Sequence, residues 1–322
     1  MKYTVTLPTD QVGQPAEFVT APAVTEMAAA IEVAGFAACN VTDHPFPPAD
    51  WVSGGGHHAL DPLVTLAVAA AATTRLRLHT NVFIPAYRNP FIAAKGVATL
   101  DALSGGRVIL GVAAGYLAGE FTALGAPYAD RGAALDAALG AMRQAWTGQP
   151  VTADGAGWSA AGNAMLPRPS ATAPDGGAAA PRPPAAHPPI WIGGNSPAAR
   201  RRAAAVGQGW SPFPARRGLA AATGTVELDG PDALRRGIDE LRSEAERCGR
   251  TEPLDVCITP FSQSHSRPGL DPERLADEAA ALAELGVTWL TVRLPSASRA
   301  EFLCNVERFG EQVIGQPAAA RE

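Results

Sequence analysis

The sequence predicts an α/β fold, a (β/α)8 TIM barrel with a long Pro/Ala-rich insertion before strand five. Short β-branched or apolar runs alternate along the 322 residues with Ala-rich helical runs, giving eight pairs. The turns after the strands also carry more specialised residues than the turns after the helices, as expected when one rim of a barrel gathers the chemistry. Apolar residues make up 47% of the chain, enough for the core of a single domain over 1–322.

The first half of the predicted barrel is marked by clear helix boundaries. Asp61-Pro62 and Asn89-Pro90 are each a capping residue followed by a first-turn proline, and Gly35 ends the first helix. Ser104-Gly105-Gly106-Arg107 follows a helix, so we interpret its glycines as a C-cap and Arg107 as a contact at the bottom face. The predicted strand and helix pairs are 3–7 with 25–34, 38–42 with 62–71, 76–82 with 90–103, and 108–112 with 132–146.

The second half follows the insertion at 152–189. This segment predicts a small β excursion near Trp158 and then a proline-rich surface arm at 171–186. Ser196-Pro197 again gives a cap and a first-turn proline. The remaining predicted pairs are 190–192 with 197–205, 209–211 with 232–247, 254–258 with 272–285, and 289–292 with 300–313.

Charge and composition argue against several classes of protein. The net charge is −5 and the only basic block is Arg200–Arg202, in a helical run, so nucleic-acid binding is not expected. No apolar stretch is long enough to span a bilayer, and the N-terminus lacks a signal-peptide pattern. The four cysteines show no paired spacing, which favours a reduced, cytoplasmic protein. His57 and His58 lie in a glycine-rich loop where we expect a lid, but without further spaced ligands no metal site is predicted.

Asp43-His44 ends the second predicted strand and therefore points onto the active rim. A histidine there can donate or accept a proton near neutral pH, and the adjacent aspartate can hold charge or orientation. Arg88, after the third strand, either binds an anion or pairs with a carboxylate on the rim. His79 lies within that strand and is interpreted as a packed histidine.

Two further turns on this rim suggest a ligand site. Gly193-Gly194-Asn195 joins a strand to a capped helix, so its backbone and the helix dipole could seat a phosphate; an ordinary tight turn remains the alternative. Ala114-Gly115-Tyr116, after the fourth strand, has small residues before the tyrosine. This pattern would let a flat ligand pass close to the backbone. Glu120, one turn onward, is expected to be a solvated helix residue.

Taken together, these segments closely resemble the luciferase-like monooxygenase family, in particular its branch that uses the deazaflavin coenzyme F420. The resemblance runs through most of the barrel, and its motifs are specific only as a set. The segments that carry it are Val41-Thr42-Asp43-His44-Pro45, Thr74-Arg75-Leu76-Arg77-Leu78, Tyr87-Arg88-Asn89-Pro90, Lys95 through Arg107, Leu110-Gly111-Val112, and Pro188 through Gly194.

The resemblance implies where a cofactor lies. A flavin or deazaflavin ring would cross the rim beside Asp43 and the segment Ala114, Gly115 and Tyr116. Its phosphate-bearing tail would reach Gly193, Gly194 and Asn195. A non-proline cis peptide at Asn81-Val82 would form a bulge under the ring. The family's sugar-phosphate dehydrogenases carry a catalytic glutamate where this chain has Tyr116, which argues against that substrate.

The leading hypothesis is an oxidoreductase that transfers a hydride between coenzyme F420 and a small organic substrate, with His44 as the catalytic proton donor or acceptor. One alternative is an FMN-dependent monooxygenase that uses reduced flavin and oxygen. An alternative of another class is a flavin-binding barrel without turnover. The resemblance also raises the possibility of a homodimer, to which the Ala-rich face at 66–72 could contribute unless it simply packs on the barrel.

Overall fold

The computed structural model describes residues 1–170, 187–263 and 270–315. The proline-rich arm predicted at 171–186 lies outside these residues. The strands, in chain order, are β1 (Lys2–Thr6), β2 (Ala38–Val41), β3 (Arg77–Phe83), β4 (Val108–Val112), β5 (Val151–Gly155), β6 (Trp158–Asn163), β7 (Ile190–Gly193), β8 (Gly209–Ser211), β9 (Asp255–Ile258) and β10 (Trp289–Val292).

Within the described residues, eight parallel strands close into a barrel in the spatial order β1, β10, β9, β8, β7, β4, β3, β2. This confirms the predicted TIM barrel. The other two strands, β5 and β6, pair antiparallel and form the β excursion that was predicted near Trp158. Because the barrel strands are parallel, their carboxyl ends open at one mouth.

Helices cover the barrel, and most lie where the sequence predicts them. Five of them, beginning at Ala21, Pro62, Pro90, Pro197 and Pro272, have a proline at the first or second helical position after a capping side chain. The helices are α1 (Pro15–Phe18), α2 (Ala21–Val33), α3 (Ala49–Ser53), α4 (Pro62–Ala72), α5 (Pro90–Leu103), α6 (Ala118–Ala123), α7 (Arg131–Trp146), α8 (Pro197–Val206), α9 (Arg217–Thr223), α10 (Pro231–Arg247), α11 (Pro272–Leu285) and α12 (Arg299–Phe309).

Two predicted boundaries differ from the structure by more than one residue. Helix α2 begins four residues before the predicted start, because the Thr20 hydroxyl accepts the Ala23 N–H and Pro22 occupies the first turn. The last helix passes at Gly310 into a π-helical turn, Gly310–Ile314, instead of continuing regularly to 313. The short helices α1, α3, α6 and α9 were not predicted, since four to seven residues give too little hydrophobic periodicity.

Side chains alternate between the helix layer and the barrel interior. The base of the interior is filled by an apolar cluster that is completely buried, consisting of Ala38, Ile109, Trp191, Cys257 and Trp289. His79 also lies within the barrel, fully buried, with its ring 4.9 Å from that of Trp191. Burial lowers the pKa of His79 to about 3, so the ring is neutral at physiological pH. This confirms the interpretation of His79 as a packed histidine.

Arg107 lies at the amino-terminal end of the barrel, opposite the mouth at the carboxyl ends of the strands. Its buried guanidinium donates to the carbonyls of Ala70, Leu76 and Ser104 and to the Thr73 hydroxyl, at 2.7–2.9 Å. Gly105 and Gly106, just before it, have positive φ angles of 68° and 89°. The prediction of a C-cap followed by a bottom-face contact is confirmed.

The surface of the described residues bears on two other expectations. None of the helices that the structure describes is long and apolar enough to cross a membrane. On α4, three residues of the Ala-rich face proposed for a dimer contact, Leu66, Ala69 and Ala70, are buried within this chain. Packing on the barrel therefore accounts for much of that face, and the homodimer stays a prediction.

Candidate active site

The mouth at the carboxyl ends of the strands brings together the turns that the sequence singled out. Val82, at the end of β3, and Gly193, at the end of β7, are neighbours: a Cβ on Gly193 would lie 3.2 Å from Val82 Cγ1 and 3.4 Å from Ala113 Cβ. His44 follows β2 at the same mouth, and its ring centroid is 6.0 Å from that of Tyr116, which follows β4. The predicted convergence of these turns is therefore present.

His44 is held by a carboxylate that the sequence interpretation misjudged. Its Nδ1 lies 3.2 Å from Glu120 Oε2, and the side chain of Glu120, on α6, is fully buried. Glu120 Oε2 also accepts the Tyr87 hydroxyl at 2.8 Å, and Oε1 accepts the Phe46 N–H at 3.0 Å. The expectation of a solvated Glu120 was wrong. The sequence signal was its place in the segment after β4, on the active rim, directly before the apolar Phe121.

The ionisation of this cluster follows from its hydrogen bonds. Burial raises the pKa of the Glu120 carboxyl, but the hydrogen bonds from His44, Tyr87 and Phe46 outweigh burial and leave that pKa below its ordinary value. Burial and the Glu120 charge raise the pKa of Tyr87 well above its ordinary value and that of Tyr116 to about 12. Glu120 is therefore an ionised acceptor, and both phenols keep their protons at neutral pH.

Aromatic rings from the loop after β2 pack over His44. The centroids of the Trp51 and His57 rings lie 4.8 and 4.9 Å from that of His44. Gly56 lets the loop fold onto Trp51, because a Cβ there would lie 2.5 Å from the indole ring. Burial, and then the neighbouring His44, lower the pKa of His57. This arrangement fits the expected lid over the rim, whereas His58 is exposed.

Asp43 joins two segments at the mouth through its carboxylate. Its two carboxylate oxygens accept the two terminal nitrogens of Arg88, each at 2.7 Å, and one of them also accepts the Ile84 N–H at 2.9 Å. Of the two roles considered for Arg88, the structure shows the pair with a rim carboxylate. The Asp43 side chain is 1% exposed, so this pair ties the loop after β2 to the segment after β3.

The bulge predicted at the end of β3 is present. The Asn81-Val82 peptide bond is cis, and the pairing of β3 with β4 shifts register between Thr80 and Phe83. Gly111 on β4 lies against this bulge, because a Cβ there would come within 2.1 Å of the Thr80 carbonyl oxygen. Asn81 and Val82 are half-buried, as are Ala113 to Tyr116, so backbone and small side chains line this part of the mouth.

The turn after β7 has the expected shape, but its polar groups are already engaged. The Asn195 amide donates to the carbonyls of Phe213 and Val226 and accepts the Phe213 N–H, at 2.9–3.0 Å. The N–H groups of Gly194 and Asn195 donate to the Ser211 carbonyl and the Thr225 hydroxyl. Asn195 thus joins the start of α8 to the loop after β8, and its contact with a phosphate stays a prediction.

A cavity of about 200 Å³ opens on the same rim, between the loops after β1 and β10. Asp10 and Arg293 form an ion pair there at 3.0 Å. The charges of both side chains act on His57. The cavity is lined by Thr6, Pro8, Asp10, Gln11, Arg293, Leu294 and Ser296.

Among the described residues, no cluster of histidine, cysteine and acidic side chains is arranged to hold a metal ion.

Comparison with known proteins agrees with this architecture. Residues 1–285 match the family model described as luciferase-like monooxygenase. The F420-dependent glucose-6-phosphate dehydrogenase of Beutenbergia cavernae is 30% identical over 324 residues, covering 88% of this chain and 89% of that protein.

Two solved structures share the fold. Monooxygenase RslO1 from Streptomyces bottropensis has a TM-score of 0.75 at 20% identity, covering 98% of this chain and 99% of that one. An F420-dependent secondary alcohol dehydrogenase, solved with an F420-acetone adduct, has a TM-score of 0.72 at 17% identity, covering 97% and 98%.

Proposed function

Because this chain belongs to the luciferase-like monooxygenase family, we propose that it is an oxidoreductase that transfers a hydride between coenzyme F420 and a small organic substrate. The observation that carries the proposal is the mouth itself. A surface of backbone and small residues, from Val82 through Ala113 to Gly193, lies at the same rim as a histidine held by a buried carboxylate. The relatives named as F420-dependent support the choice of cofactor.

The residues at the mouth fit a flat ring. Gly193 has no side chain, and even a Cβ there would lie 3.2 Å from Val82 Cγ1, so a larger residue would crowd the end of β3. Ala114 and Gly115 present only small groups on the neighbouring turn, and Tyr116 follows them in the chain. The deazaflavin would supply the two-electron chemistry. We assign Asn81, Val82, Gly193, Gly194 and Asn195 to cofactor binding as part of this proposal.

The protein's own contribution would be proton transfer and exclusion of water. His44 is 8% exposed, and the rings of Trp51 and His57 pack on it, so few water molecules reach the imidazole. With Nδ1 bonded to Glu120, the nitrogen that can meet a substrate is Nε2. When a substrate loses a hydride from carbon and a proton from oxygen, Nε2 would take that proton, and in the reverse direction it would return it.

The test is a pair of fluorescence titrations of the purified protein, one with F420 and one with FMN. We expect F420 to bind and the His44→Ala variant to bind it equally well. The same variant should lose turnover of a small secondary alcohol such as isopropanol by about 10²-fold or more. His58→Ala, on the exposed neighbour, is the matched control and should keep both properties. Tight binding of FMN alone would overturn the choice of cofactor.

The FMN-dependent monooxygenase is the second candidate, supported by the likeness to monooxygenase RslO1. Oxygen consumption in the presence of reduced FMN would favour it. Binding of either cofactor without turnover, and without an effect of His44→Ala, would instead favour a flavin-binding barrel.

The cytoplasmic location and the homodimer remain part of the proposal. Size-exclusion chromatography of the purified protein tests the homodimer.

A further inference from the structure

Glu120 is a fully buried carboxylate whose role is not explained by packing alone. Removing a carboxylate from water costs several kcal/mol unless hydrogen bonds compensate. Here three donors do so: the Tyr87 hydroxyl, the Phe46 N–H and the His44 ring. The first two would suffice to join α6 to the segments after β2 and β3. The third donor is the side chain to which we assign the proton step.

We propose that Glu120 is a positioning residue that holds the His44 imidazole in the Nδ1–H tautomer, with Nε2 as the proton acceptor at the mouth. This inference rests on the proposed function for its catalytic meaning. It names a residue that would not touch the substrate and would act through His44.

The donor and acceptor inventory of the cluster fixes this tautomer. An ionised carboxylate only accepts hydrogen bonds, so the nitrogen of His44 that faces it must carry a proton. Hydrogen bonding keeps the pKa of Glu120 below its ordinary value, and burial keeps the Tyr87 phenol protonated, so neither group supplies a proton to Nδ1. A neutral imidazole with a proton on Nδ1 has its lone pair on Nε2.

The other groups around His44 do not replace this role. Trp51 and Tyr116 contribute only their aromatic rings, and His57 is a second imidazole whose ring centroid lies 4.9 Å from that of His44. The nearby ion pairs, Asp43 with Arg88 and Asp10 with Arg293, are each internally neutralised. Glu120 is therefore the anion placed to stabilise His44 once Nε2 has taken a proton.

Replacing Glu120 with glutamine should reverse the tautomer. The glutamine oxygen can accept the Phe46 N–H only if its NH2 group faces Tyr87 and His44. In that arrangement the NH2 group donates to the Tyr87 oxygen and to Nδ1, which leaves the His44 proton on Nε2. In the opposite arrangement the NH2 group faces the Phe46 N–H. Both groups are donors, so no hydrogen bond forms between them and this arrangement is disfavoured.

The experiment is long-range proton–nitrogen NMR of ¹⁵N-histidine-labelled protein without cofactor, in alkaline buffer. His44 is assigned by the signal that disappears in His44→Gln. We expect Nδ1–H in the wild type and Nε2–H in Glu120→Gln. Tyr87→Phe removes a neighbouring donor but leaves the carboxylate, so it should keep Nδ1–H. Thr122→Ala, on the exposed face of α6, is the control for disturbance of the helix.

An Nε2–H tautomer in the wild type, or an unchanged tautomer in a folded Glu120→Gln, would overturn the proposal. If Glu120→Gln does not fold, the wild type and Tyr87→Phe still decide it. Titration with F420 separates the two hypotheses: Glu120→Gln should bind F420 as the wild type does. Failure of the wild type to bind F420 would refute the proposed function while leaving the tautomer result intact.

Discussion

His79 should make the barrel sensitive to acid, because its ring stays neutral in the folded protein. Burial lowers its pKa from the ordinary 6.5 to about 3. Above pH 6.5 the ring is neutral in both states and has no effect on pH dependence. As the pH falls from 6.5 toward 3, the unfolded chain takes up a proton that the folded barrel does not, so stability is lost.

The size of this loss follows from one-proton linkage. Each pKa unit corresponds to about 1.4 kcal/mol, so His79 alone should remove about 2 kcal/mol of unfolding free energy between pH 7 and pH 5. The assay is urea unfolding of the wild type and of His79→Leu at both pH values. Any packing cost of leucine beside Trp191 and Gly111 is the same at the two pH values and cancels in the comparison.

We expect the wild type to lose about 2 kcal/mol more than His79→Leu over this range. His58→Leu replaces an exposed histidine on the lid loop and serves as the matched control, with a pH dependence like that of the wild type. Equal losses in the wild type and His79→Leu would refute the reasoning, because they would mean that the buried ring takes up a proton as readily as an exposed one.

Three further substitutions separate the mouth from the rest of the barrel. Arg88→Ala leaves the buried Asp43 carboxylate without its cation and should cost about 3 kcal/mol of unfolding free energy, measured in urea. A cost below about 0.5 kcal/mol would show that the Arg88–Asp43 ion pair does not stabilise the mouth. Gly111→Ala places a methyl group against the Thr80 carbonyl and should destabilise by about 1–3 kcal/mol and weaken F420 binding; wild-type behaviour in both assays would count against it. Arg107→Met should lower the unfolding midpoint but leave F420 affinity unchanged, since it lies at the opposite end; loss of affinity without loss of stability would argue otherwise.

Local signals were enough to predict the barrel. Proline after a capping residue fixed the starts of the helices at Pro62, Pro90 and Pro197, and the structure places their caps as expected. At Thr20 the proline, Pro22, comes two residues after the capping residue and not directly after it, so this start was overlooked. Short helices such as Ala118–Ala123 have fewer than two turns, so a periodicity argument cannot detect them.

The site was only partly predictable, because its key contacts join residues far apart in the chain. His44 was found from its place after a strand and from the family resemblance, and the Asn81-Val82 cis peptide from the resemblance alone. The partner of His44 is Glu120, 76 residues away, and only the closed barrel brings the two together. Asn195 is similar: its amide is engaged by Phe213 and Val226, which no local pattern connects to it.

The central claim is that the surface beside Val82, Ala113 and Gly193 receives the cofactor ring. Gly193→Val tests it most directly, because the added side chain would project into that surface while the backbone there needs no positive φ. The new Cβ would lie only 3.2 Å from Val82 Cγ1, so the thermal unfolding midpoint should fall, and the variant is compared at a temperature where circular dichroism shows it folded. Under those conditions, fluorescence titration with F420 should show an affinity at least about tenfold weaker, or 1.4 kcal/mol. An unchanged F420 affinity in the folded variant would contradict the account.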